Sequence, residues 1–182
     1  MLAFARGEAA AFEELYRRHE LRVFRYLYRN TRHHDTASDL LQDVWFAVAK
    51  SAARYQPTAR FTTWLFTLAH NRLVDAYRTR RDHESLDAPG RDCADGAPLG
   101  ERLAADPATD PAAVTEARDD GAKLLAAVGR LPEEQRDAFL LKAEGDLSVE
   151  EIAAVTGTSF ETAKSRLRYA RQKLRELLWE YA

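Results

Sequence analysis

The sequence holds one cysteine, Cys93, in 182 residues. A single thiol makes no internal disulfide, and no second cysteine or histidine stands near it at zinc-ligand spacing, so neither a disulfide scaffold nor a structural metal is expected. Long apolar runs are missing too. The longest, V-W-F-A-V-A from residue 44 to 49, falls far short of the roughly 20 residues that span a bilayer. The opening M-L-A-F-A-R-G-E is too short and too soon charged for a secretory signal, and the chain is expected in the cytoplasm. Also absent are the phosphate-cradling G-x-x-x-x-G-K, the nucleophile elbow G-x-S-x-G and the zinc-binding H-E-x-x-H. His33 and His34 are adjacent, so they point to different sides of a helix or loop, and no ligand cluster accompanies them. The expectation is no metal, no cofactor and no catalysis.

What is present is material for a packed core: 46% of the residues are apolar and 10% of the chain is aromatic. The formal net charge of −2 conceals a strong asymmetry. Residues 1–81 carry 14 Lys/Arg against 8 Asp/Glu, for +6; residues 82–122 carry 3 against 11, for −8; residues 123–182 carry 10 of each. An acidic middle hides a basic N-terminal module, and such sign asymmetry is common in proteins that bind nucleic acid and several partners. The segment 82–111 has four prolines, three glycines and no apolar period, which is linker composition. The flanks read as helical without alternating strand patterns. The expected architecture is all-α: two small helical domains, 1–81 and 123–182, joined by a flexible acidic linker over 82–122.

In the N-terminal module Phe12, Leu15, Tyr16, Val23 and Leu27 recur at helical intervals until R-N-T-R-H-H-D interrupts them. Leu40, Leu41, Val44, Trp45 and Val48 form a second stripe, with Asp39, Gln42 and Asp43 turned away from it. Pro57 then bars helix continuation, and Phe61, Leu65, Ala69, Leu73 and Ala76 line a third helix. In the C-terminal module Pro132 suits a first helical position, followed by Glu133 and Glu134 at the positive helix start. Ser148 to Glu151 spells a capping box before a short helix that buries Ile152 and Val155. Thr156-Gly157-Thr158 turns the chain, and Ser159 can cap a long helix whose apolar positions are Ala163, Leu167, Ala170, Leu174 and Leu177. Six basic residues lie between Lys164 and Arg175. Short helix, glycine turn and basic helix read together as helix-turn-helix.

These residues carry a resemblance. F-E-E-L-Y…D-L-L-Q-D-V-W…F-T-T-W-L-F-T-L-A-H-N-R-L-V-D-A-Y-R resembles the second region of bacterial extracytoplasmic-function sigma factors, and the run from L-P-E-E-Q-R to R-Q-K-L-R-E resembles their fourth region. The resemblance implies a subunit that joins core RNA polymerase, recognises a promoter and helps open it, without being an enzyme itself. It also implies an anti-sigma factor as a further partner, and the free protein is expected to be a monomer. No appended C-terminal domain is expected, since the sequence stops six residues after Glu176. Two other readings are weighed beside it. A stand-alone helix-turn-helix repressor or activator would not need D-L-L-Q-D or an aromatic and basic third helix, and a nuclease would need a carboxylate or histidine cluster for its metal.

Side chains near the start of a recognition helix reach base edges in the major groove, and cations further along meet phosphates. Thr162, Lys164, Ser165, Arg168 and Arg171 lie off the apolar stripe; by resemblance Lys164, Ser165 and Arg168 face the minus-thirty-five element. Phe160 and Glu161 replace the small residues usual before that helix, and Glu161 either accepts from a cytosine amino group or repels phosphate. In the N-terminal module Tyr55, Arg60, Trp64, Asn71, Arg72 and Arg78 mix rings with cations, the materials that hold single-stranded DNA and an extruded base. By resemblance Asn71 helps receive a flipped base of the minus-ten element; His70 beside it is assigned no role. Asp39, Gln42 and Asp43, by resemblance, dock on the clamp helices of the polymerase's largest subunit. The acidic linker is expected in the channel that later carries RNA.

Overall fold

A computed structural model describes residues 1–84 and 111–179, and side chains within 1–80 and 120–179. All regular elements among the described residues are helical. A single turn, α1 (Leu2–Ala5), leads into α2 (Ala9–Thr31), α3 (His34–Ser51) and, after a 3-10 turn at Ala52–Arg54, α4 (Phe61–Glu84). The C-terminal part comprises α5 (Pro111–Gly129), α6 (Glu133–Gly145), α7 (Val149–Thr156) and α8 (Phe160–Trp179). Pro111 to Ala122, within the segment read as linker, are thus helical; residues 85–110, with Cys93 and the proposed channel segment, lie outside the described residues.

Most positions of the expected stripes are buried, and Phe12, Leu15, Tyr16, Phe61 and Ala76 pack partly buried against them. Val23, Leu27, Leu40, Leu41, Val44, Trp45, Val48, Leu65, Ala69 and Leu73 are buried in the N-terminal module, and Ile152, Val155, Ala163, Leu167, Ala170, Leu174 and Leu177 in the C-terminal one. The helices stop where local chemistry dictates. Arg32 closes α2 in the left-handed region at φ 60°, its N–H bonded to the Tyr28 carbonyl, with Thr31 Oγ1 donating to the Leu27 carbonyl. Pro132 is the N-cap of α6 rather than its first helical residue, because its ψ of 144° is extended. The position still spares a backbone donor that would have had no acceptor.

The two modules share one continuous core instead of standing apart. Helix α2 packs along α6, and α4 rests on α6 and α7. Phe66, outside the stripe expected for α4, is 1% exposed and meets Gly145: a Cβ there would lie 2.3 Å from Leu147 Cδ1 and 3.3 Å from the Phe66 ring. A side chain at Gly145 would displace Leu147 and crowd the Phe66 ring of α4.

Candidate nucleic-acid and protein interfaces

Helices α7 and α8 hold the expected helix-turn-helix. Ser148 Oγ accepts from the Glu151 N–H at 3.2 Å while the Glu151 carboxylate accepts from the Ser148 N–H at 2.8 Å, a complete capping box. Gly157 ends α7 at φ 62°, where a Cβ would be strained. Ser159 Oγ accepts from the Thr162 N–H at 3.1 Å and so caps α8. With the apolar stripe of α8 buried, its cations project outward. Lys164, Arg168, Arg171 and Arg175, with the single carboxylate of Glu176, line one groove beside Val149 at the start of α7. Thr162 and Ser165 instead line the groove on the other side of α8, facing Glu133, Glu134 and Glu161. Arg166 turns to that side as well and pairs with Glu134 at 2.7 Å. The basic run therefore divides by direction: four cations form a positive groove, and the opposite flank is acidic.

Two exposed rings accompany these cations. The Arg168 guanidinium lies 4.8 Å from the Tyr169 ring centroid and donates to its hydroxyl at 3.1 Å. The Lys164 ammonium lies 5.7 Å from the Phe160 ring and 3.8 Å from the Glu161 carboxylate. Such contacts bias the direction of exposed cations by about 0.5–1 kcal/mol each.

In the N-terminal module Tyr55, Phe61 and Trp64 form a half-buried ring cluster, with centroids 5.0 Å apart for Tyr55 and Trp64 and 5.8 Å for Phe61 and Trp64. His19 adjoins Phe61 at 5.3 Å, and burial, with Arg22 and Arg18 nearby, depresses its imidazole pKa. Trp64, Asn71 and Arg78 recur every seventh residue on α4, hence on one side of it; Asn71 and Arg78 are exposed and Trp64 half-buried. Arg72 departs from that side, lining a groove against α3 with Asp43, Asp75 and Arg80. Arg60 is already engaged by the other module: its guanidinium lies 3.7 Å from Glu151 and 3.9 Å from Asp146. Asp39, Gln42 and Asp43 stand exposed together on α3, and the next turn adds Phe46, 71% exposed. Sequence reasoning passed over Phe46, although its place seven residues after Asp39 puts it on the acidic face.

Sequence reasoning also missed the polar seam between the modules. The phenol of Tyr26 on α2 donates to Asp137 Oδ1 on α6 at 2.6 Å, and His70 Nδ1 lies 3.1 Å from Asp137 Oδ2. His70, assigned no role from sequence, is thus part of the seam. Burial drives the Tyr26 hydroxyl well above the ordinary phenol range, reinforced by the Asp137 charge. Arg25 Nε donates to Glu144 at 3.1 Å, and Arg29 pairs with the same carboxylate. Burial lowers the Arg29 pKa; the Glu144 charge opposes that shift. Arg136 and Tyr77 both donate to the Asn30 carbonyl, at 3.4 and 2.9 Å. Thr63 Oγ1 donates to Glu151. For Glu151 the desolvation that raises its pKa is outweighed by the hydrogen bonds from Thr63 and the Ser148 N–H and by the Arg60 charge, so the net shift is downward. No group of histidine, cysteine and carboxylate side chains suited to a metal occurs among the described residues.

Two family models match this arrangement: sigma-70 region 2 over residues 15–83 and sigma-70 region 4 over residues 121–174. The chain is 37% identical over 180 residues to the RNA polymerase sigma factor CarQ of Myxococcus xanthus, covering 99% of this chain and 96% of that one. It is 34% identical over 170 residues to the extracytoplasmic-function RNA polymerase sigma factor RpoE of Cereibacter sphaeroides, covering 93% and 87%. Among solved structures, RpoE of Bartonella quintana, in complex with the anti-sigma factor NepR, has the same fold with a TM-score of 0.71 at 24% identity, covering 92% of this chain and 96% of that one. CnrH in complex with the cytosolic domain of CnrY gives 0.65 at 25%, covering 98% and 94%. The fold, the helix-turn-helix and relatives matched over nearly their whole lengths agree: the chain belongs to the sigma-70 family of RNA polymerase sigma factors, in its extracytoplasmic-function group.

Proposed function

We propose that this sigma factor divides its work between the two modules. Residues 1–81 dock on the polymerase clamp through Asp39, Gln42 and Asp43 and receive the melted minus-ten strand on Tyr55, Arg60, Trp64, Asn71, Arg72 and Arg78. Residues 123–182 read the upstream element through Thr162, Lys164, Ser165, Arg168 and Arg171, and the segment 82–122 connects the two. The observation that carries this reading is the positive groove of Lys164, Arg168, Arg171 and Arg175 beside a capped helix-turn-helix. A recognition helix needs that combination of fixed backbone and directed cations. The half-buried rings of Tyr55 and Trp64 give the N-terminal module a stacking platform with a polar asparagine on the same side of α4. The protein supplies recognition, and the polymerase supplies the chemistry.

A protein inhibitor is a further proposed partner, supported by the relative CnrH having been solved with the cytosolic domain of CnrY. No helix among the described residues is long and apolar enough to cross a membrane, in keeping with action in the cytoplasm beside the polymerase. The test is run-off transcription by purified core polymerase on a library of promoter fragments. Adding the protein is expected to create initiation at a defined subset. If core alone initiates equally well, and the protein shifts duplex DNA unaided, the stand-alone repressor reading replaces this one.

A further inference from the structure

The first turn of α8 carries a feature that the division of labour above leaves unused. Phe160 is 40% exposed and is not among the apolar side chains packed against the core. Its aromatic face is occupied by the Lys164 ammonium at 5.7 Å, and that ammonium is held from the other side by Glu161 at 3.8 Å. The cap beneath is hydrogen-bonded: Ser159 Oγ accepts from the Thr162 N–H at 3.1 Å and lies 2.8 Å from the Thr162 hydroxyl. An apolar ring is therefore presented at the leading end of the helix with one cation beside it. On a solvated helix face that arrangement is worth only a few tenths of a kcal/mol, whereas a major groove offers a matching surface. The only apolar group a base pair shows there is the thymine C5-methyl, and guanine O6 and N7, the acceptors a lysine takes, can lie one step away.

Resting on the reading of α8 as the upstream-element helix, we propose that Phe160 is a specificity-determining residue that packs on a thymine methyl group, next to the base pair met by Lys164. The Glu161 carboxylate at 3.8 Å biases the ammonium toward this end of the helix. Glu161, lacking any donor, disfavours a phosphate at the same spot, so the ring meets the groove floor and not the backbone.

The test uses the holoenzyme with core polymerase. Promoters are first selected from fragments randomised over the upstream element, with wild type, F160A and R168A in parallel. Wild type is expected to enrich a thymine that F160A no longer enriches while the remaining positions persist. Deoxyuridine in place of that thymine removes only the methyl; it should weaken wild-type binding about fourfold, the value of one buried methyl-sized group, and leave F160A binding unchanged. The uridine arm needs no altered protein, so it stands even where F160A folds poorly. Identical selection by F160A and wild type, or indifference of wild type to uridine at every upstream thymine, overturns the proposal. If R168A changes selection and F160A does not, only this inference fails; if neither changes it, the reading of α8 fails with it.

Discussion

Glu144 offers the most direct test of the seam between the modules. Its side chain is 6% exposed and binds two cations of α2, Arg25 and Arg29, whose side chains are 32% and 27% exposed. In Glu144→Ala those two guanidinium groups, four residues apart on one helix, face a cavity and each other. Removing one partner of a fully buried ion pair costs about 3–5 kcal/mol. Both arginines reach solvent, so the loss here should be smaller, about 2 kcal/mol after allowance for screening. That corresponds to about a thirtyfold fall in the closing constant, enough to take an ensemble about 97% closed to about half open.

The assay is small-angle scattering at low salt combined with hydrogen exchange. A compact chain of this length has a radius of gyration of roughly 16 Å; the variant should exceed wild type and lose amide protection along the facing turns of α2 and α6. Helix content should stay constant, because α6 keeps the apolar contacts of Leu140 and Leu141. The double variant Glu144→Ala with Arg29→Ala should recover part of the loss, since it removes the uncompensated charge. A single variant with wild-type radius and protection would refute the reasoning and reduce the pair to a surface contact without energetic weight.

Four further outcomes follow from the same geometry. Tyr26→Phe strips a buried acceptor of its donor, so stability should fall by about 1–3 kcal/mol, read as a thermal shift of about 2–4 °C per kcal/mol for a chain of this size. Glu151, with its pKa lowered in the fold from an ordinary 4.5, contributes stability that is fully present above that value. The contribution is lost as pH falls through the lower folded value, so in acid titrations below about pH 4.5 Glu151→Gln should flatten the decline that wild type shows. Arg168→Ala should weaken promoter binding by roughly tenfold, relax upstream discrimination and leave polymerase association intact; an unchanged footprint would remove it from the readers. Charge reversal at Asp39 and Asp43 together should abolish co-purification with core polymerase at unchanged circular dichroism, and retained binding would make that strip an ordinary solvated face.

The helices were legible because their signals are local. Apolar spacing picked out the buried sides of α3 and α8, and the serine and glutamate of the capping box announced α7. The seam was illegible for an equally physical reason. Helix α6 buries Arg136, Asp137 and Glu144, residue types that are almost never buried unless paired, and their partners lie on α2 and α4, more than a hundred residues earlier for Arg25, Arg29 and Tyr26. No periodicity rule links such positions. Phe66 was lost the same way: it sits beside Leu65, off the stripe that faces its own module, because it faces the other one. At the candidate site the exposed positions were readable from the stripe they avoid, but the direction of each cation was not. That Arg166 turns back to Glu134 while Arg168 leans on Tyr169 depends on neighbours supplied by α6 and by the next residue.

The seam also bears on how the two modules can act together. Thr63 of α4 is hydrogen-bonded to Glu151 of α7, and Arg60 lies against Glu151 and Asp146, so the helix proposed to hold the minus-ten strand touches the helix-turn-helix proposed to read the upstream element. Two turns of duplex cover about 70 Å, a distance that elements in side-chain contact do not bridge. On the proposed reading, simultaneous engagement of both promoter elements requires the seam to open, and opening releases Arg60 from the two carboxylates that hold it. Polymerase binding must then supply at least the free energy that Glu144, Asp137 and Glu151 contribute to closure. Glu144→Ala, weakened at the seam, should consequently need less core polymerase for half-maximal transcription, even though Glu144 is not among the residues proposed to meet polymerase or DNA.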